Sequence, residues 1–88
     1  MARESLTLDK RDARFLAVKR ALAKSLRERR RAKRLSQLRL AAAVGTSQSR
    51  IARMEAADPA VSLDLLVRCL FALGATRRDI ARAIGRSG

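Results

Sequence analysis

The stretch from Leu35 to Glu55, LSQLRLAAAVGTSQSRIARME, limits the possible folds of this chain more than any other stretch. Ser36 is a residue type that caps helix N-termini, and apolar residues then recur at helical spacing as far as Val44. Gly45 follows directly, at a point where a helix end favours a residue without a Cβ atom. The pattern therefore predicts a helix over residues 37–44 that ends in a tight turn.

A second helix is predicted directly after that turn, over residues 48–55. Thr46 and Ser47 are capping residues for it, and Ile51 and Met54 supply its inward-facing apolar positions. Its outer face carries the long or polar side chains Gln48, Ser49, Arg50 and Arg53. Two short helices joined in this way form a helix-turn-helix unit with a polar face near the start of the second helix.

This unit resembles the DNA-binding core of the Cro/phage-repressor (XRE-type) family of bacterial transcriptional regulators. The residues in register with the family pattern are Leu35, Gln37, Leu40, Ala41, Val44, Gly45, Ser47, Gln48, Ile51, Met54 and Glu55. A looser likeness extends the resemblance over residues 26–75. The resemblance implies an all-α, five-helix lambda-repressor-like domain.

Two places depart from the family pattern. Arg34 stands where the family often has a glycine that ends the first helix. Ala56 and Ala57 stand where a glycine usually follows the glutamate that matches Glu55. The path of the chain after Glu55 is therefore left open at this point.

The bulk composition bounds the function. The chain has 88 residues, enough for one small domain, and a net charge of +13, which favours a polyanionic partner. Two Phe and no Trp or Tyr argue against a protein that stacks single-stranded bases on aromatic side chains. One Cys and no His argue against disulfide frameworks, zinc fingers and nucleophile–histidine sites. We therefore expect no enzyme, metal or cofactor, and the short apolar runs predict no membrane span.

The remaining sequence predicts a loose segment over residues 1–8 and one domain over residues 9–88. Its three further helices are predicted at about residues 9–33, 63–73 and 77–84. Asp9 is the expected cap of the first helix, with Asp12 in its first turn. Ser62 caps the fourth helix, and in the fifth Thr76 and Asp79 have the spacing of a capping box, with Ile80 and Ile84 inward.

The first helix is longer than the resembled fold requires, because the family's first helix begins not far before Leu26. The segment from Asp9 to Ser25 is therefore an extension, in which Phe15, Val18 and Leu22 form an apolar stripe. This stripe has three possible destinations: the chain's own C-terminal helix, the same helix of a second subunit, or another protein. A second subunit is slightly favoured, which makes the stripe a predicted dimer or partner face.

The resemblance also implies roles for single residues. Gln48 matches the family position that reads bases, where a Gln amide pairs with adenine, and Arg53 would read guanine. The predicted base-contacting residues are Gln48, Ser49, Arg53 and Arg50. The predicted phosphate-contacting residues are Gln37, Ser47, Lys33 and Arg34. Arg30 and Glu55 match a structural ion pair. The competing interpretation is that these side chains are only the solvated faces of helices.

The function implied is sequence-specific binding of double-stranded DNA by a transcriptional regulator, most often a repressor in this family. A homodimer is expected to read two half-sites about 34 Å apart. One alternative is an antitoxin that binds a toxin through the Phe15–Leu22 stripe and autoregulates its operon. Another is a nucleoid-type protein that binds by charge alone. The resemblance implies a cytoplasmic, nucleoid-associated protein of a bacterium or phage.

Overall fold

Five α-helices make up the part of the chain that the computed structural model describes, residues 12–86, and no strand occurs in it. The helices are α1 (Ala13–Ala32), α2 (Gln37–Val44), α3 (Gln48–Glu55), α4 (Leu63–Ala72) and α5 (Arg77–Gly85). The predicted bounds of α2 and α3 are confirmed, whereas α4 ends one residue earlier and α5 one residue later than predicted. The all-α, lambda-repressor-like fold is confirmed. None of the described helices is long and apolar enough to cross a membrane.

The N-terminus of α1 differs from the prediction. Asp12, expected within the first turn, is the N-cap itself, because its Oδ1 accepts a hydrogen bond from the Arg14 amide at 2.8 Å. The helix therefore begins at Ala13 and not near residue 9. The predicted cap Asp9 and the predicted loose segment 1–8 lie outside the described residues.

The other helix starts follow from local capping. Ser36, Ser47 and Ser62 each accept a hydrogen bond from the backbone amide three residues on. Thr76 and Asp79 form the predicted capping box, in which each side chain accepts from the other residue's backbone amide. These caps satisfy amides that would otherwise lack an intrahelical partner, so the helix boundaries are encoded within a few residues.

The core lies where α1 crosses α3, α4 and α5. Its fully buried side chains are Leu22, Leu26, Leu40, Ile51, Met54, Cys69 and Leu70. Ile51 and Met54 thus face inward as predicted. In α5, however, Ile84 is 38% exposed and Ala83 takes the buried position, so the expectation of a buried Ile84 was wrong. Ala83 and Ile80 lie three residues apart, on the side of α5 that faces the core.

The apolar stripe of α1 packs mainly within its own chain. Leu22 is 1% exposed and belongs to the common core, and Val18 packs against that core from the side. Leu22 therefore cannot lie on a dimer or partner face, and the slight preference for a second subunit was wrong for this residue. The physical reason is that α1 packs against both α4 and α5, so that Leu22 lies inside the core that these helices share. Phe15 stays half-buried.

Four helices end in the same way, with one residue in the left-handed conformation. The residues are Arg34 (φ 57°), Gly45 (φ 77°), Ala57 (φ 58°) and Gly74 (φ 91°). After each of them, the next amide donates to a carbonyl five residues back, as Leu35 does to Arg30 and Asp58 to Arg53. These are Schellman-type ends. Arg34 and Ala57 thus adopt the left-handed backbone conformation that a glycine usually provides at a helix end, although neither is glycine.

We expect Ala57→Gly to raise the free energy of unfolding by about 0.5–1 kcal/mol. A left-handed non-glycine residue costs about 1–2 kcal/mol, and the greater freedom of glycine in the unfolded chain offsets about 0.4–1 kcal/mol of the gain. Urea denaturation measures the difference. The matched control is Ala56→Gly, because Ala56 has an ordinary φ of −87° and its replacement should destabilise the protein. Equal losses for both variants would contradict the assignment of strain to Ala57.

Candidate nucleic-acid interface

The predicted base-contacting side chains all lie on one exposed surface. Burial of Ile51 and Met54 fixes one side of α3 against the core, which leaves the opposite side to solvent. Exposed on that side and at the helix start are Gln48, Ser49, Arg50 and Arg53. The Ser47 hydroxyl accepts from the Arg50 amide and lies 3.3 Å from the Ser49 hydroxyl. The structure therefore brings these side chains together on one exposed surface of a short helix, with Arg53 in its last turn.

Arg30 and Glu55 form an ion pair between the end of α1 and the end of α3. The Arg30 guanidinium donates from Nε to Oε2 and from Nη2 to Oε1, the latter at 3.0 Å. Its Nη1 also donates to the Leu35 carbonyl at 2.8 Å, and Arg27 donates to the Glu55 carbonyl at 2.9 Å. Glu55 is only 6% exposed. Arg27 and Arg30 of α1 thus both bind the C-terminus of α3.

The pKa of Glu55 reflects two opposing effects. Burial alone would raise the pKa of this carboxyl, but hydrogen bonds from Arg30 and Gln37 outweigh it and hold the pKa below its ordinary value. The same carboxylate raises the pKa of Arg30. Glu55 is therefore ionised at neutral pH and can only accept hydrogen bonds.

Gln37 connects this buried pair to the exposed surface. Its Nε2 donates to Glu55 Oε1 at 3.1 Å, and its Oε1 accepts from Gln48 Nε2 at 2.8 Å. The resemblance implied that Gln37 contacts phosphate, whereas its side-chain amide here is occupied by Glu55 and Gln48. The bond between the two glutamines was not predicted from the sequence. The available signal was the repeat of Ser-Gln at the start of both helices, Ser36-Gln37 and Ser47-Gln48.

The direction of these hydrogen bonds is set by Glu55. Because an ionised carboxylate only accepts, Gln37 must turn its NH₂ group toward Glu55 and its oxygen toward Gln48. Gln48 must then donate from its own NH₂ group. One N–H and the Oε1 atom of Gln48 remain for an outside partner, which is the donor–acceptor pair that a glutamine uses on adenine.

Basic side chains flank the start of α2. Lys33 and Arg34 are exposed in the turn between α1 and α2, and within residues 12–86 neither forms an ion pair. Arg29, by contrast, is paired with Asp79 of α5 at 3.2 Å. On the other side of α3, Arg50 and Arg53 line a depression of about 240 Å³. Ala60, Val61 and Ser62, which lie between α3 and α4, line the rest of it.

A family model described as a helix-turn-helix domain matches residues 21–83, and this span contains the whole surface just described. The chain belongs to this family. It is a family of XRE/Cro-like bacterial DNA-binding regulators, as the resemblance implied. No curated protein and no solved structure matches the chain. The regulator's α1 begins eight residues before the matched span.

The stability of this helix-turn-helix regulator is expected to depend on Glu55 at low pH. A folded-state pKa below the unfolded value gives stability that is complete above the unfolded pKa and lost as pH falls through the folded value. With an ordinary value of 4.5, the loss from Glu55 begins near that pH. Asp12 and Asp79, whose pKa values are also lowered, contribute to the same acid transition.

Glu55→Gln is expected to lower the free energy of unfolding at pH 7 by about 1–3 kcal/mol, since the Arg30 charge loses its negative partner and keeps only a neutral amide as acceptor. The difference from the wild type should shrink as the pH falls from 4.5 through the lower folded-state pKa, where the wild-type carboxyl also becomes neutral. Urea denaturation at several pH values measures this. Glu28→Gln is the control, because Glu28 is an exposed carboxylate of α1. A difference that is constant from pH 7 to pH 2 would contradict the role of the ion pair.

Proposed function

We propose that this protein is a transcriptional repressor that reads double-stranded DNA by inserting α3 into the major groove. The observation that carries the proposal is the exposed Gln48 amide, oriented through Gln37 by the buried Arg30–Glu55 pair. On a helix face that only contacts water, this orientation would bring no benefit, because an exposed amide forms hydrogen bonds to water equally well in either orientation. A base reader gains from it, because less side-chain entropy is lost on binding.

In the proposed complex, direct readout comes from the start of α3. Gln48 pairs with adenine through its free N–H and Oε1, and Arg53 pairs with guanine O6 and N7. Ser49 and Arg50 contact further base edges or the adjoining backbone. Lys33, Arg34 and Ser47 are proposed to contact phosphates, where the N-termini of α2 and α3 also favour anions. Gln37 is proposed to orient Gln48, with its phosphate contact limited to its backbone amide.

We propose that the protein acts as a homodimer. A single helix-turn-helix unit buries too little surface for tight specific binding, and two units read half-sites about one helical turn apart. The exposed large apolar side chains of the described residues are Leu38, Phe71 and Ile84. Phe71 and Ile84 lie outside the helix-turn-helix and are the proposed candidates for contact with a second copy. The proposal implies a cytoplasmic location, where the DNA is.

The antitoxin alternative loses part of its support, because Leu22 and much of Val18 are covered by the chain itself. Only Phe15 of the three residues stays outside the core cluster and its packed neighbours. We therefore place DNA readout first. Non-specific binding by charge alone is the alternative that the following experiment separates.

Selection of binding sites from a random duplex library is expected to recover a palindromic consensus. Gln48→Ala and Arg53→Ala should each relax one position in every half-site and cost about 1–3 kcal/mol per contact, because each removes one base pairing. Arg78→Ala is the control for lost charge, since Arg78 is exposed on α5. It should keep the consensus unchanged. If no consensus emerged from the wild type, base readout would be wrong and charge alone would explain the binding.

A further inference from the structure

The first two turns of α1 lie outside the matched family span, yet they contain a buried cation. The family match begins at residue 21, whereas α1 begins at Ala13. Lys19, within these turns, is only 3% exposed. A lysine is almost never fully buried unless its ammonium group has partners, so this position has a specific structural task.

Three hydrogen-bond partners of Lys19 come from the loop between α3 and α4. Its Nζ donates to the carbonyl oxygens of Pro59 at 2.8 Å and Asp58 at 3.4 Å, and to that of Val61. The Phe15 ring centroid lies 5.4 Å from the same nitrogen. The extension of α1 thus binds three carbonyls of a loop some 40 residues later in the chain.

The same loop forms one wall of the depression beside the recognition helix. Ala60, Val61 and Ser62 face Arg50 and Arg53 of α3 across it. Val61 takes part in both arrangements: its carbonyl accepts a hydrogen bond from Lys19, and the residue lines the depression. The position of this wall relative to α3 therefore depends on the Lys19 contacts.

We infer that Lys19 is a positioning residue for DNA binding, which acts by fixing the α3–α4 loop against the sugar-phosphate backbone. This inference rests on the proposed function. The major groove is about 12 Å wide and a helix with its side chains is about 10–12 Å across. A helix in the groove fills it, so a loop directly beside α3 faces the flanking phosphates. Lys19 itself is buried, so in this role it acts through the loop and does not touch DNA.

This role has a signature that differs from base readout. Contacts to phosphate carry no sequence information, so their loss weakens binding to every duplex alike. Loss of Gln48 or Arg53 instead relaxes one base position. A purely structural role for Lys19 would change the free energy of unfolding and leave the affinity of the folded protein as it was.

The test uses Lys19→Met in the full chain, with Lys24→Met as the matched control. Both remove one positive charge from α1, but Lys24 is exposed. Affinities for the selected operator and for a scrambled duplex are measured over a range of salt at a temperature where each variant is folded. We expect Lys19→Met to weaken both by about tenfold with an unchanged ratio between them, and to leave the log–log salt slope nearly unchanged, because the loop contains no Lys or Arg. Lys24→Met should change both far less.

Amide hydrogen exchange of residues 60–62 provides a second readout that needs no DNA. It should rise in Lys19→Met and stay at the wild-type level in Lys24→Met. If Lys19→Met does not fold, Pro59→Gly loosens the same loop without a change of charge and should give the same uniform loss of affinity. A folded variant of the loop or of Lys19 that binds like Lys24→Met would overturn the inference, as would relaxation at a single base position. A wild type that binds neither duplex would instead refute the proposed function.

Discussion

The buried ion pair between Arg30 and Glu55 is the interaction on which the geometry of the recognition surface depends. A helix of eight residues such as α3 is too short to be stable in isolation, so its direction must come from tertiary contacts. Apolar packing of Ile51 and Met54 fixes which side faces inward, but such contacts are not directional. The two-point contact between guanidinium and carboxylate is directional, and it holds the end of α3 to α1. Because a buried pair often adds little net stability over apolar packing, we attribute its value here to orientation.

The Arg30–Glu55 pair orients the two proposed base-reading side chains to different degrees. Gln48 is held by a hydrogen bond whose polarity traces back through Gln37 to Glu55. Arg53, in the last turn of α3, is exposed, and within the described residues it forms no ion pair. The proposed adenine reader is therefore oriented before binding, whereas the proposed guanine reader must lose side-chain freedom when it binds. Arg53 compensates through charge and a two-point fit to guanine.

The features that could be predicted from the sequence are those that depend on residues close together in the chain. The starts of α2 and α3 follow from Ser36 and Ser47, and the buried positions Leu40 and Ile51 follow from helical spacing. The destination of the α1 extension depends on residues far away in the chain. A lysine in an amphipathic helix predicts an exposed charge, and nothing near Lys19 indicates three carbonyls beyond residue 57. The Gln37–Gln48 bond was missed for the same reason, since it depends on how α2 and α3 meet.

The two strained helix ends show how these contacts depend on one another. Arg34, after α1, and Ala57, after α3, both adopt the left-handed conformation although neither is glycine. Arginine side chains of α1 form hydrogen bonds at both helix ends. At the first end, Arg30 accepts from the Leu35 amide through its carbonyl and donates to the Leu35 carbonyl through its guanidinium. At the second, Arg27 and Arg30 hold Glu55, and Lys19 holds the loop directly after Ala57. Strain of this kind persists only where the surrounding contacts determine the backbone. The basic residues of α1 thus have a use besides attraction to a polyanion: three of them fix the ends of the helix-turn-helix from inside the protein.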